Sequence, residues 1–121
     1  MTLDTDSQDE GVARGFDPRI DEMCNITIET MELEEVAQSE YYRKYRSVPT
    51  YGTRVRLRRY SHGPRLEVET ESGEEEVGLA PTQFDFLRVC QNSRYGYAYS
   101  GTVLAYSANP PQVTVRLQVN R

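Results

Sequence analysis

Thr53-Arg54-Val55-Arg56-Leu57-Arg58-Arg59-Tyr60 and Leu66-Glu67-Val68-Glu69-Thr70-Glu71, joined by Ser61-His62-Gly63-Pro64, decide the fold of this chain. Both runs alternate with period two, the repeat of a half-buried β-strand. In the first, Val55 and Leu57 share one face, while Arg54, Arg56 and Arg58 share the other. In the second, Leu66, Val68 and Thr70 oppose Glu67, Glu69 and Glu71. The Gly-Pro segment between them is a turn. Ser72-Gly73 turns the chain again, and Glu75, Val77 and Leu79 line one side of a third short strand. Residues 53–79 therefore read as a meander of three antiparallel strands.

Working outward, Cys24–Thr30 alternates and carries β-branched residues, which predicts a strand. Leu33, Val36, Ala37, Tyr41 and Tyr45 recur at helical spacing and predict a helix over 32–46. Glu32, Glu34 and Glu35 open that segment, and Arg43, Lys44 and Arg46 close it, a charge order that suits the helix dipole. Thr82, with Pro81 before it and Asp85 at the third position, predicts the N-cap of a second helix reaching Gln91. Tyr95, Tyr97 and Tyr99 alternate with small residues and start a strand that continues to Tyr106, with a bulge or bend at Gly101. Asn109-Pro110-Pro111 is a stiff connection, and Val113, Val115, Leu117 and Val119 build a closing strand. A short sheet must hide its edges, so the pattern predicts a mainly β fold with two helices (α+β), a small, partly open antiparallel β-barrel. The expected division is a disordered acidic leader over 1–19 and a single domain over 20–121. Strand and helix occupy 20–48 of that domain, and the barrel core occupies 52–119.

Charge is distributed unevenly. Residues 41–65 hold eight basic residues and no acidic one, whereas residues 1–40 hold twelve acidic and two basic residues, inside a chain of net charge -5. A basic belt in an acidic protein can steer an anionic partner, or it can be neutralised by its own neighbours. No run of 18 apolar residues exists, so no membrane helix is expected. The start of the chain lacks the basic and apolar regions of a secretory signal, so the default expectation is the cytoplasm. Cys24 and Cys90 are expected to be reduced and packed as small hydrophobes. Two distant cysteines and one histidine make no zinc site, and no cofactor motif is present. His62 sits in a turn with no nucleophile or carboxylate fixed beside it, so catalysis is not expected.

Two features point to binding. Arg54, Arg56 and Arg58 stand roughly 6.6 Å apart in succession on one strand face, close to the spacing of phosphates along an extended strand. The opposing reading pairs them with Glu67, Glu69 and Glu71 across the hairpin, each pair worth roughly 0.2–1 kcal/mol. Nine tyrosines against three Phe and no Trp suit a surface with one wet side, including a base-stacking platform. Tyr95, Tyr97 and Tyr99 form a stripe that faces either outward or into the barrel, and Tyr60 lies among the arginines.

Residues 52–119 resemble the HIRAN domain. The likeness rests on the glycine-led strand Gly52–Arg59, on Leu66–Glu69, on Gly73 to Pro81, then on a short helix, Gly96–Val103 and Val113–Val119. The family's Asn-Pro-Tyr-Asp-x-Asn-Ala stretch has no counterpart in Tyr60–Arg65. The resemblance implies an SH3-like or HIRAN-like barrel that binds DNA at its mouth, nearest Arg59, Tyr60 and Arg65. The resulting expectation is a non-catalytic nucleic-acid-binding domain, single strands favoured, using Arg54, Arg56, Arg58, Arg59, Tyr60, Arg65, Lys44, Tyr95 and Tyr97. The rival expectation is a protein-interaction module or small inhibitor that docks a basic partner through an acidic and Tyr-rich surface. A homodimer through the tyrosine face is a third reading.

Overall fold

The structure, a computed structural model, describes residues 17–61 and 63–120. The meander forms where the alternation places it: β2 (Arg54–Leu57), β3 (Glu67–Thr70) and β4 (Glu76–Leu79) pair antiparallel in succession. Val55, Leu57, Val68 and Val77 point inward and are buried. Ahead of the meander lie α1 (Pro18–Cys24), β1 (Thr27–Glu32) and α2 (Glu40–Tyr45). After it come α3 (Leu87–Cys90) and a long hairpin of β5 (Tyr99–Ala108) and β6 (Pro111–Val119).

All six strands belong to one curled antiparallel sheet in the order β1-β6-β5-β2-β3-β4. Its two edge strands meet at one point. Beyond the end of β1, the Glu34 N–H donates to the Leu79 carbonyl (2.8 Å) and the Leu79 N–H donates back (2.9 Å). The result is a curled, barrel-like sheet with a seam between its edges, bridged at one end and, among the described residues, open along β1. Gly78 permits the closure, because a Cβ there would lie 2.8 Å from the Leu33 Cβ. Gly101 serves the same purpose in the wall, since a side chain would collide with the Arg116 carbonyl of β6. The irregularity expected at Gly101 lies instead between Val103 and Ala105.

Several predicted boundaries move, each for a local reason. The expected strand from Cys24 starts at Thr27, because Asp17 caps α1 through the Arg19 N–H (2.9 Å) and Pro18 fills the first turn. Residues 17–19, assigned from sequence to the leader, are that cap and first turn; residues 1–16 of the leader lie outside the described residues. The expected helix over 32–46 does not form as one piece. Leu33 and Glu34 extend the β1 path, Glu35 takes a left-handed backbone (φ 55°), and α2 begins only after Ser39, whose hydroxyl accepts the Tyr42 N–H. Pro81, not Thr82, precedes the next turn, and no side chain caps it; Thr82–Phe84 is a 3₁₀ turn leading into α3. Tyr95 and Tyr97 precede β5 rather than belonging to it.

The cysteines depart furthest from expectation. Both are fully buried, as expected, but Cys24 of α1 and Cys90 of α3 form a disulfide with Cα atoms 5.6 Å apart, across 66 positions of sequence. Two tyrosine hydroxyls lock the same corner: Tyr99 donates to the Cys24 carbonyl (2.6 Å) and Tyr97 donates to the Asp21 carboxylate (2.5 Å). Closing a loop of this length restricts the unfolded chain by about 4 kcal/mol in the chain-entropy account. The Cys24→Ser/Cys90→Ser double variant should therefore lose about 4 kcal/mol of stability in urea unfolding. Alkylation of the denatured, unreduced native protein should find no free thiol.

Candidate functional site

The outer face of β2 is an ion-pair layer. The register sets Arg56 against Glu69, and the Arg58 N–H donates to the Glu67 carbonyl, so the arginine and glutamate rows lie side by side. Arg56 Nε donates to Glu69 (2.7 Å) and its Nη2 to Glu74 (3.1 Å). Arg58, only 8 % exposed, reaches Glu69 (2.7 Å), Glu67 (3.0 Å), Glu40 (3.2 Å) and the Glu74 carbonyl (3.0 Å). Arg54 sits 3.5 Å from Glu71 and is largely solvated. Three guanidiniums thus face five carboxylates, and the row that looks basic in sequence is locally acidic in place.

Lys44 and Arg65 are engaged as well. Lys44 pairs with Glu75 (2.7 Å), which also accepts the Tyr45 hydroxyl, and Arg65 pairs with Glu34 (2.6 Å) while donating to the Ala80 carbonyl. Tyr97 is buried with its hydroxyl bonded, which removes it from any stacking surface; Tyr99 is buried beside it. Tyr95 is half-buried, with the Arg94 guanidinium 5.6 Å from its ring centre. Of the nine residues singled out from sequence, only Arg59 and Tyr60 combine exposure, no carboxylate partner among the described residues and a place beside a cleft. Glu40 was not foreseen: it lies 18 positions from Arg58, on α2. It accepts the Glu76 N–H (2.8 Å), while Glu76 accepts the Glu40 N–H (3.2 Å), a reciprocal clasp that seats α2 on β4.

Protonation follows the same contacts. Burial alone would raise the Glu69 carboxyl, but hydrogen bonds from Arg58 and Arg56 outweigh it and hold the group below the usual carboxylate range. Glu76 is pushed up, chiefly by burial. Burial works against the charge on Arg58, and the glutamates around it more than compensate, so its pKa is raised.

Two further surface features remain. The largest of the four clefts described, about 690 Å³, lies at the seam and is lined by Glu32, Leu33 and Glu34, by Pro81 and Phe84, and by Thr114 of β6, among others. A smaller cleft of about 250 Å³ lies between the end of β2 and α3, lined by Arg59, Tyr60, Ser61 and Arg88 among others. Among the described residues, no group of three or more His, Cys, Asp or Glu is placed to hold a metal ion, and no helix is long and apolar enough to cross a membrane. His62 lies outside the described residues.

Comparison with protein-family models, with curated proteins and with solved structures finds no match.

The ion-pair layer gives two predictions. Glu69→Gln removes the carboxylate shared by two guanidiniums and leaves the buried Arg58 short of charge, which should cost about 3 kcal/mol. Arg54→Gln, at a solvated pair, should change stability by less than about 1 kcal/mol. Equilibrium urea unfolding of both variants checks this. Because the folded Glu69 carboxyl lies below its ordinary value of 4.5, its stabilisation is complete above that value and is lost as pH falls through the depressed one. Glu76, raised by burial, acts in the opposite sense and gains on protonation. Melting temperature should drop on acidification below pH 4.5, and Glu69→Gln should flatten that drop.

Proposed function

We propose that this domain is a non-catalytic protein-interaction module that docks a basic, extended partner segment along the acidic seam of its barrel. The observation that carries this reading is the seam groove itself. It is the largest of the four clefts described, its lining holds two carboxylates and no cation, and it lies beside a strand edge with an open side. Among the described residues, β1 has β6 as its only strand neighbour along 27–32, which leaves its outer backbone groups for an added strand. Glu32 has no cationic partner among the described residues, whereas Glu34 is held by Arg65. Phe84 and Leu33 add apolar surface to the same lining.

Binding of nucleic acid through the arginine row is the weaker reading. A polyanion would have to displace five carboxylates from three guanidiniums while approaching a chain of net charge -5. The HIRAN-like reading keeps support only from Arg59 and Tyr60, which stay at the surface. A buried disulfide in so small a domain favours an oxidising compartment over the cytoplasm expected from sequence.

A fluorescent peptide of alternating Lys and Val, titrated at low and at moderate salt, tests the proposal against a Glu-Val peptide and a single-stranded oligonucleotide. The Lys-Val peptide should bind best, and more weakly as salt rises. Glu32→Lys should lower its affinity about tenfold. Glu22→Lys, an equal charge change on the exposed face of α1, should leave it nearly unchanged. Equal losses in the two variants would reduce the effect to bulk charge, and preference for the oligonucleotide would overturn the reading.

A further inference from the structure

We infer that the cleft between the end of β2 and α3 is a binding site for a phosphate monoester, held by Arg59 and Arg88. This inference does not depend on the seam groove. Of the four clefts described, it is the one whose lining holds arginine and no carboxylate; the other three each contain two or more glutamates. That is unusual in a chain with 19 acidic and 14 basic residues, where the other arginines around β2 are paired.

Among the described residues, the two guanidiniums hydrogen-bond only to backbone carbonyls. Arg59 Nη1 donates weakly to Gln91 O (3.4 Å), and Arg88 Nη2 donates to Pro64 O (2.5 Å). A carbonyl satisfies one N–H and leaves the positive charge, with most of the donor fork, unanswered. Ser61 lines the same cleft, and its Oγ is buried with no hydrogen-bond partner among the described residues, a feature that calls for an explanation in a folded protein. Asn92 and Ser93, two residues with donor side chains, also line the cleft, as does the buried Leu66. Such a donor-rich wall suits a group with several acceptor oxygens and a double negative charge, which describes a phosphate monoester better than a carboxylate. The volume of about 250 Å³ exceeds what a bare phosphate fills, and Tyr60, 78 % exposed at the rim, offers a flat face to a ring carried on the ester.

Phenyl phosphate, inorganic phosphate and benzoate serve as probes, followed by titration calorimetry and by chemical shifts of the full chain. Phenyl phosphate should bind saturably, more tightly than inorganic phosphate and far more tightly than benzoate. Arg59→Gln and Arg88→Gln should each weaken it about tenfold or more. Arg46→Gln, an exposed cation outside the cleft, should leave it unchanged, as should Glu32→Lys in the seam groove. Both arginines in the cleft are exposed, so unaltered melting temperatures verify that the variants still fold. Benzoate binding as tightly as phenyl phosphate, or equal losses in Arg46→Gln and Arg88→Gln, would overturn the inference. An oligonucleotide that binds the cleft equally with and without a 5′-phosphate would also overturn it, by assigning these arginines to a strand backbone.

Discussion

The Arg58 guanidinium is the constraint around which the rest of this molecule is arranged. It is nearly excluded from water, and it draws Glu67 and Glu69 from β3, Glu40 from α2 and the Glu74 carbonyl into one cluster. Removing a guanidinium from water is expensive, and hydrogen bonding in good geometry is what offsets it. Glu40 is then held twice, by Arg58 and by the Glu76 N–H, so α2 is fixed to the meander by polar contacts rather than by a wide apolar face. In a small domain with 37 % hydrophobic residues, such a network specifies geometry that the core alone would leave loose.

Where the sequence repeats with period two, it was readable. The meander and the closing hairpin alternate over most of their length, and they fold near where the alternation places them, apart from register shifts in the β3–β4 and β5–β6 pairs. The first third was harder, because Leu33, Val36 and Tyr41 are all inward-facing yet belong to three different local structures. Residues that face one core from a strand, a turn and a helix can mimic a helical repeat. Ser39 as the N-cap of α2 and Asp17-Pro18 as the start of α1 were the available signals, and both are short polar cues that apolar periodicity outweighs. The bulge fell at Leu104 rather than Gly101 because the glycine there answers a close approach by β6, not a change in register.

The site was only half legible. Cross-strand pairing of Arg56 with Glu69 follows from the hairpin and was one of two readings open from sequence. Glu40 and Glu74, which complete the neutralisation, come from elsewhere in the chain and no local pattern announces them. The same holds for Arg88, which reaches the end of β2 only because α3 packs there. Nor does spacing reveal that Cys24 and Cys90 meet, since the contact is made by two short helices brought together through the barrel. Long-range charge and sulfur contacts are properties of topology, and a strand pattern read in isolation sees only its immediate partner.

The Cys24–Cys90 link has one more consequence. It spans the stretch that contains β1, α2 and the whole meander, and the hairpin of β5 and β6 follows directly after it. A protease that nicks an exposed turn such as Ser72-Gly73 would therefore leave both fragments joined in one covalent molecule. The cut ends would remain tethered within one shared framework, free to pair again as strands. Backbone continuity and structural integrity are thus partly uncoupled in this small protein.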